Sequence, residues 1–433
     1  MLLENLDCYK VSTTKAAVTS FAGLPLVLGT ALSLGLKGLL NDLRLKERAR
    51  GYEPAENILA LMGMLAAGGV ALEDERLLSG DGGMRALLGE LPAANTQDEF
   101  LRRFTEAMLY RLGRIVLTVA VKVINALGME RVTLDIDAFF VDSQKDGVRM
   151  NHEGRRGYCP VMVTCGELKM PLAGLFRSGN ASPGANLVGL LRRVMKALPG
   201  KSLRMRSDSA AYQADVVKLC DAFQAKFTIT ARKDEAVLKV IGSIPAKSWR
   251  RYVSPAYPNR PTEIAETVHA FEDKEAKAHR LIVLRWLPEL PELLDSDRSR
   301  YHGVMTSFED PAEDVLDFHR QRQDESENTN KEVIATGLSK LPCADIVANG
   351  AFFQIVLLTA VVITALKYLV LPETWQSLTI QTLRYRLIRL AGLVQRRARA
   401  LWLKIPEKYP YRHVFEEARY RVLGVGCEIA STG

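Results

Sequence analysis

Carboxylates in three well-separated stretches are the residues whose types and spacing could do chemistry in this chain. In RVTLDIDAFFVDS, Asp135 and Asp137 stand two apart at the end of a β-type run, so alternation puts both on one face of a strand. Asp208 follows the run SLRMRS, and Glu327 lies within DVLDFHRQRQDESENTNKEV, which has helical character. Clustered carboxylates repel, which raises at least one pKa unless cations compensate. Their hard oxygens suit Mg²⁺ or Mn²⁺. Two such ions could activate a water or a 3′-hydroxyl and stabilise the leaving oxygen in an in-line attack on phosphorus. Taken singly, each aspartate is more often a turn or cap residue. His152, His269, His279, His302 and His413 show no ligand spacing, and the six cysteines contain no CxxC pair, fitting reduced thiols better than a disulfide framework or zinc site.

Strand-type runs must position those acids. From Arg131 onward, RVTLDIDAFFVDS, GYCPVMVTCGEL and KMPLAGLFRSG read as three strands, the last two joined by a Gly-Glu turn. An amphipathic helix near 184–198, the strand SLRMRSD, a helix near 211–224 and the strand KFTITA follow. Three strands, helix, strand, helix, strand is the order of an RNase H-like mixed α/β core. Residues 235–308 interrupt it with Pro-rich, β-type runs and polar turns such as DSDRSR, predicting a β-rich insertion. DPAE then predicts a helix capped by Asp310 with Pro311 at its first position. The fold class is therefore α/β, with helical regions at both ends. The boundaries fall at 1–128 (helical), 129–234 (first part of the core), 235–308 (insertion), 309–350 (the helix with Glu327) and 351–433 (helical and basic). Thr96 and Glu99 have capping-box spacing, predicting a long helix from there toward Leu127.

A chain of 433 residues with 48% hydrophobic and 25% charged residues can bury a large core and is expected to form more than one domain. Phe21 to Leu40 and Ala351 to Leu371 are apolar enough to be considered as membrane spans. Glycines break the first, and Gln354 and Lys367 interrupt the second, so both are expected to be core helices. The N-terminus has no basic stretch followed by an apolar run and a small-residue cleavage site, so no secretory signal is expected. Between Ile380 and Arg421, eleven Lys/Arg face three Glu, a surplus equal to the whole-chain charge of +8. Its centre, LRYRLIRLAGLVQRRARALWLK, predicts an arginine-rich amphipathic helix suited to a phosphate backbone or, equally, a solvated charged face.

Taken together and in order, these motifs resemble the DDE transposases of bacterial insertion sequences, in particular the branch known as family 1380. LDID resembles the first motif, RSDSAAY (Arg206 to Tyr212) the second, and Glu327, Asn328, Lys331 and Glu332 the third. GYCPVMV and LAGLFRSGNASPGAN resemble the stretches between the first two. LPCADIVANGAFFQ and TLRYRLIRLAGLVQRRAR extend the similarity over about residues 18–421.

The resemblance implies metal-dependent cleavage of transposon-end DNA and strand transfer into target DNA, with two Mg²⁺ or Mn²⁺ ions. It implies Asp137, Asp208 and Glu327 as catalytic metal ligands, with Asp135 the alternative to Asp137. Arg320, Arg322 and Lys331 would contact phosphates from the helix that carries Glu327. His319 stands where the family has Tyr, and Ile334 where it has a distal Lys. Arg322 lies five residues before Glu327 rather than the usual four, and a π turn between them would absorb the surplus residue. Trp286, or Trp249, would stack a flipped base. Arg384, Arg396, Arg397 and Arg399 would grip the backbone of double-stranded DNA, both terminal repeats and target. A homodimer acting in the cytoplasm on the nucleoid, without membrane attachment, completes the expectation. The alternatives are a catalytically impaired, transposon-derived DNA-binding protein and another RNase H-like DNA nuclease.

Overall fold

The computed structural model describes residues 10–43, 51–145, 148–151, 153–253, 255, 258, 262–273, 275–286 and 301–431. At its centre lie five strands: β1 (Arg131–Ala138), β2 (Val161–Cys165), β3 (Met170–Leu175), β4 (Ser202–Ser207) and β5 (Lys226–Thr230). β1 pairs antiparallel with β2 and parallel with β4. β2 pairs antiparallel with β3, and β4 parallel with β5, giving the order β3-β2-β1-β4-β5. Near-continuous apolar runs in β2 and β3 fit strands covered on both faces.

The stretch expected as a β-rich insertion widens this sheet. It contributes the helix Glu235–Gly242 and four strands, β6 (Arg250–Tyr252), β7 (Thr262–His269), β8 (His279–Trp286) and β9 (Tyr301–Thr306). β9 pairs antiparallel with β5, so the nine strands run β3-β2-β1-β4-β5-β9-β8-β7-β6. A small cluster of Ile264, Ile282, Leu284 and Val304 packs under Ala312, Val315 and Leu316 at the start of the next helix. The polar turn DSDRSR lies outside the described residues.

That helix, Ala312–Val333, is the element that faces the acids. It begins one residue later than DPAE predicts: Pro311 takes the cap position, and the Asp310 carbonyl accepts from Arg280 Nη1 at 2.6 Å. The helix runs in α geometry through Val333, and a π turn follows at Ile334–Leu338.

The apolar segment beginning near Ala351 forms the helix Ile346–Ala365, prolonged by a π turn to Val370. Its length and mean hydropathy of 2.3 would suffice to cross a membrane, but 83% of its most apolar window is buried here. It packs against β3 and the helices Glu106–Ala126 and Pro54–Ala67. Two of its polar side chains donate to backbone carbonyls: Gln354 Nε2 to that of Gly174 at 2.9 Å, and Lys367 Nζ to that of Leu378 at 2.8 Å. Gly174 permits the close approach, since a Cβ there would lie 2.8 Å from the Phe353 ring.

Two local expectations fail. Thr96 and Glu99 fall inside a short helix, Ala94–Leu101, and the long helix opens afresh where Thr105 Oγ1 accepts from Met108 N. The arginine-rich segment is not one amphipathic helix. It is a short helical piece ending at Ile388, then a hairpin of Gly392–Arg397 against Ala400–Lys404. Ala398 and Arg399 turn the hairpin at positive φ, and Val18–Thr19 adds a third strand, so pairing with a distant segment overrides local helical preference.

Candidate active site

Asp135 and Asp137 point the same way from β1, yet they have different partners. In register, Asp135 lies beside Arg206 on β4. The arginine grips it with two bonds, Nε to Oδ1 at 2.6 Å and Nη2 to Oδ2 at 2.7 Å. Arg206 Nη2 also bonds Glu325 Oε2, and Nη1 donates to the Phe318 carbonyl at 3.1 Å, while the Phe318 ring lies under the guanidinium. Gly166 makes room, because a Cβ there would stand 2.7 Å from Asp135 Oδ2 and 2.9 Å from Arg206 Nη2. Burial pushes the Asp135 carboxyl up to about 6 even though Arg206 pulls it down. Asp135 is thus consumed in a buried ion cluster, which separates it from Asp137 where the sequence left both open.

Asp137 is only partly covered. Arg322 Nη1 is 3.5 Å from Oδ1, and Asn330 Nδ2 donates to Oδ2 at 2.6 Å. Burial raises its pKa; Arg322 opposes the shift, and the negative charge of Asp208 adds to it. Asp208 follows directly on β4, whose last paired residue, Ser207, lies beside Ile136. Asp208 Oδ1 caps the turn after the strand, accepting from Ala210 N at 2.9 Å. Parallel neighbours therefore bring Asp137 and Asp208 together at the carboxyl ends of β1 and β4, the usual place for a site on such sheets.

Glu327 does not join them. Its side chain is 60% exposed and pairs with Lys331 Nζ at 2.6 Å, one turn on along the same helix. The cause is helical phase. His319, Arg322, Thr329 and Asn330 face the sheet, and no π turn intervenes between Arg322 and Glu327 to rotate the glutamate inward. The π turn lies beyond it, at Ile334–Leu338. Among the described residues no three His, Cys, Asp or Glu side chains gather as a metal-holding group. The donors that do converge are the carboxylates of Asp137 and Asp208, hard oxygens of the kind a divalent ion takes.

Other expected contacts divide in the same way. His319 is buried between two threonines of β5, with Nε2 3.0 Å from Thr230 Oγ1 and Nδ1 3.0 Å from Thr228 Oγ1. Burial holds its pKa down to about 3, so it is neutral and braces the helix rather than gripping an anion. Arg320 is half-exposed and pairs with Asp317 at 2.9 Å, and Lys331 is exposed beside Glu327. Arg384 is 4% exposed and gives its donors to the carbonyls of Leu65, Ala66, Ala335 and Thr336. It closes the ends of two helical segments and cannot reach a phosphate, which corrects its assignment to DNA. Arg396, Arg397 and Arg399 stand exposed at the hairpin tip, near the exposed Trp402. Trp286 is half-buried on β8, its ring 6.5 Å from that of His302, which is itself 6.3 Å from that of His319. Trp249 lies under the Arg285 guanidinium at 4.1 Å.

Sequence reasoning missed Gly166, Glu325 and Asn330, and it read Arg206 only as part of a motif. Only the pairing of Asp135 with Arg206 offered a signal, since a buried strand carrying an arginine requires an acid on its neighbour.

Residues 9–425 match the family described as Transposase DDE domain group 1, and the chain belongs to it. No curated protein matches the chain. Among solved structures it is similar to a cryo-EM structure of the piggyBac transposase synaptic complex with hairpin DNA. The identity is 12% and the TM-score 0.43, covering 87% of this chain and 83% of that one.

Proposed function

We propose that this protein is a cut-and-paste DNA transposase of the insertion-sequence type, within the family 1380 branch. It would cleave the ends of its own element and join the freed 3′-hydroxyls to target DNA. The observation that carries this reading is the side-by-side placement of Asp137 and Asp208 at the ends of adjacent parallel strands in a chain of this family. The strand order β3-β2-β1-β4-β5 supports an RNase H-like core. Two Mg²⁺ or Mn²⁺ ions, which would activate the attacking oxygen and steady the leaving one, would be held through Asp137 and Asp208.

Within the chain, Arg322 sets a positive charge beside Asp137 and can hold a phosphate at the pocket mouth. Arg396, Arg397 and Arg399 give the hairpin tip three free-standing charges for the backbone of an end duplex, and Arg320 and Lys331 add charge along the outer face of the site helix. Trp286 is the residue proposed to stack a displaced base. A homodimer, one subunit to each end, working in the cytoplasm on the nucleoid, is part of this reading.

The test uses the full chain and duplexes made from the DNA that flanks its coding region. Binding to the terminal repeats, followed by nicking at the element boundary and joining to a plasmid in Mg²⁺ or Mn²⁺, is expected. Failure to bind those repeats in preference to unrelated duplex would sink the reading. The outward position of Glu327 favours a second reading, an end-binding protein without catalysis. Selective binding with no nicking in either metal would establish it.

A further inference from the structure

The inner face of the site helix places an amide, not a carboxylate, against Asp137, which has Asp208 as its neighbour. Asn330 is 8% exposed and donates from Nδ2 to Asp137 Oδ2 at 2.6 Å. Its other head atom, Oδ1, is buried with no hydrogen-bond partner. An unpaired buried carbonyl oxygen is costly to keep, and it persists here on a side chain bonded to Asp137, which Asp208 repels. A half-turn of the amide about its last torsion exchanges Oδ1 and Nδ2 with little change in shape. It would present a third hard oxygen to a cation lying between Asp137 and Asp208.

The helix is pinned so that Asn330, and not Glu327, keeps this place. N-terminal to it, Arg206 bonds the Phe318 carbonyl and His319 bonds Thr228 and Thr230. C-terminal to it, Glu332 Oε2 accepts from Ile380 N at 2.7 Å, and Arg384 holds the Ala335 and Thr336 carbonyls. Rotating Glu327 inward would require breaking one of these sets.

We propose that Asp137, Asp208 and Asn330 together form the divalent-cation site of this protein, and that Glu327 is not a ligand. The inference deepens the transposase reading and rests on its choice of pocket. The site would carry two negative charges rather than three, so it would take Mn²⁺ or Mg²⁺ more weakly than a three-carboxylate cage.

Mn²⁺ uptake by the full-length protein without DNA, followed by electron paramagnetic resonance, tests this. The wild type is expected to bind, Asn330→Ala to bind at least about tenfold more weakly, and Asn330→Asp about tenfold more tightly, each tenfold being about 1.4 kcal/mol. Glu327→Gln is expected to stay within twofold of wild type. Tighter binding by Asn330→Asp is a gain that a merely structural asparagine would not give, so the test survives if Asn330→Ala folds poorly. A tenfold loss in Glu327→Gln, an unchanged Asn330→Asp, or a wild type that takes up no Mn²⁺ at millimolar concentration overturns the proposal. Selective binding to terminal-repeat duplex in the absence of metal is measured on the same samples. Its loss strikes the transposase reading and leaves the ligand assignment standing.

Discussion

Asp135 and Asp137 are two residues apart on one strand, share one face and are both shifted upward by burial, yet they differ in what binds them. Asp135 is closed in by a bidentate arginine, which is in turn tied to Glu325 and the Phe318 carbonyl. Asp137 has one long contact to Arg322 and an amide donor, with a second acid beside it. A buried acid whose partner is fixed by sheet register is a structural group. A neighbouring acid with no bidentate arginine and a like charge nearby is the one proposed to take a cation. The arginines of the C-terminal segment repeat the contrast: Arg384 is spent on carbonyls, whereas Arg396, Arg397 and Arg399 face solvent.

The comparison breaks most sharply through activity. Asp137→Asn, and equally Asp208→Asn, is expected to reduce end cleavage to background. The melting temperature should move by less than about 4 °C, the shift that goes with roughly 1 kcal/mol. A large loss of stability in Asp137→Asn with cleavage retained would reverse the assignment of the two aspartates. Next in size is Arg206→Met, which leaves Asp135 buried without its cation and the partly exposed Glu325 unpaired. Breaking a buried pair in this way costs about 3–5 kcal/mol, to be read from urea unfolding, while Arg322→Met should cost far less. Gly166→Ala is smaller: its Cβ would press on Asp135 and Arg206, for a loss of about 1–3 kcal/mol by overpacking.

The smallest effect is on pH. Burial lifts the Asp135 carboxyl from its ordinary 3.8 to about 6. A raised acid pKa favours the folded state below the ordinary value, and that contribution is lost as pH rises through about 6. Thermal stability should therefore carry a component that declines between about pH 4 and 6, and Asp135→Asn should show a shallower slope across that window. An unchanged slope would mean that Arg206 keeps Asp135 ionised throughout.

Much of this arrangement could be read from local pattern. β-type runs bounded by turns located β1, β2, β3, β4 and β5 closely, and the two-residue spacing of Asp135 and Asp137 put both on one face. The failures share one cause. The segment Leu383 to Lys404 has the spacing of a helix, but its hairpin depends on a strand nearly four hundred residues earlier in the chain. The paired Val18–Thr19 supplies what no local window contains.

The sequence alone determined which groups are available: two acids on one strand, a third after another, an arginine-rich segment, and a helix with both acids and amides along it. Tertiary structure decided which of them meet. Register with β4 gave Arg206 to Asp135 and left Asp137 beside Asp208. The rotational phase of a helix anchored at both ends turned Asn330 inward and Glu327 outward. Each residue along a helix is turned by about 100° from the last, so one residue more or less between anchors changes which side chain faces the pocket. That phase is set by contacts at the anchors, far from the residue whose fate they decide.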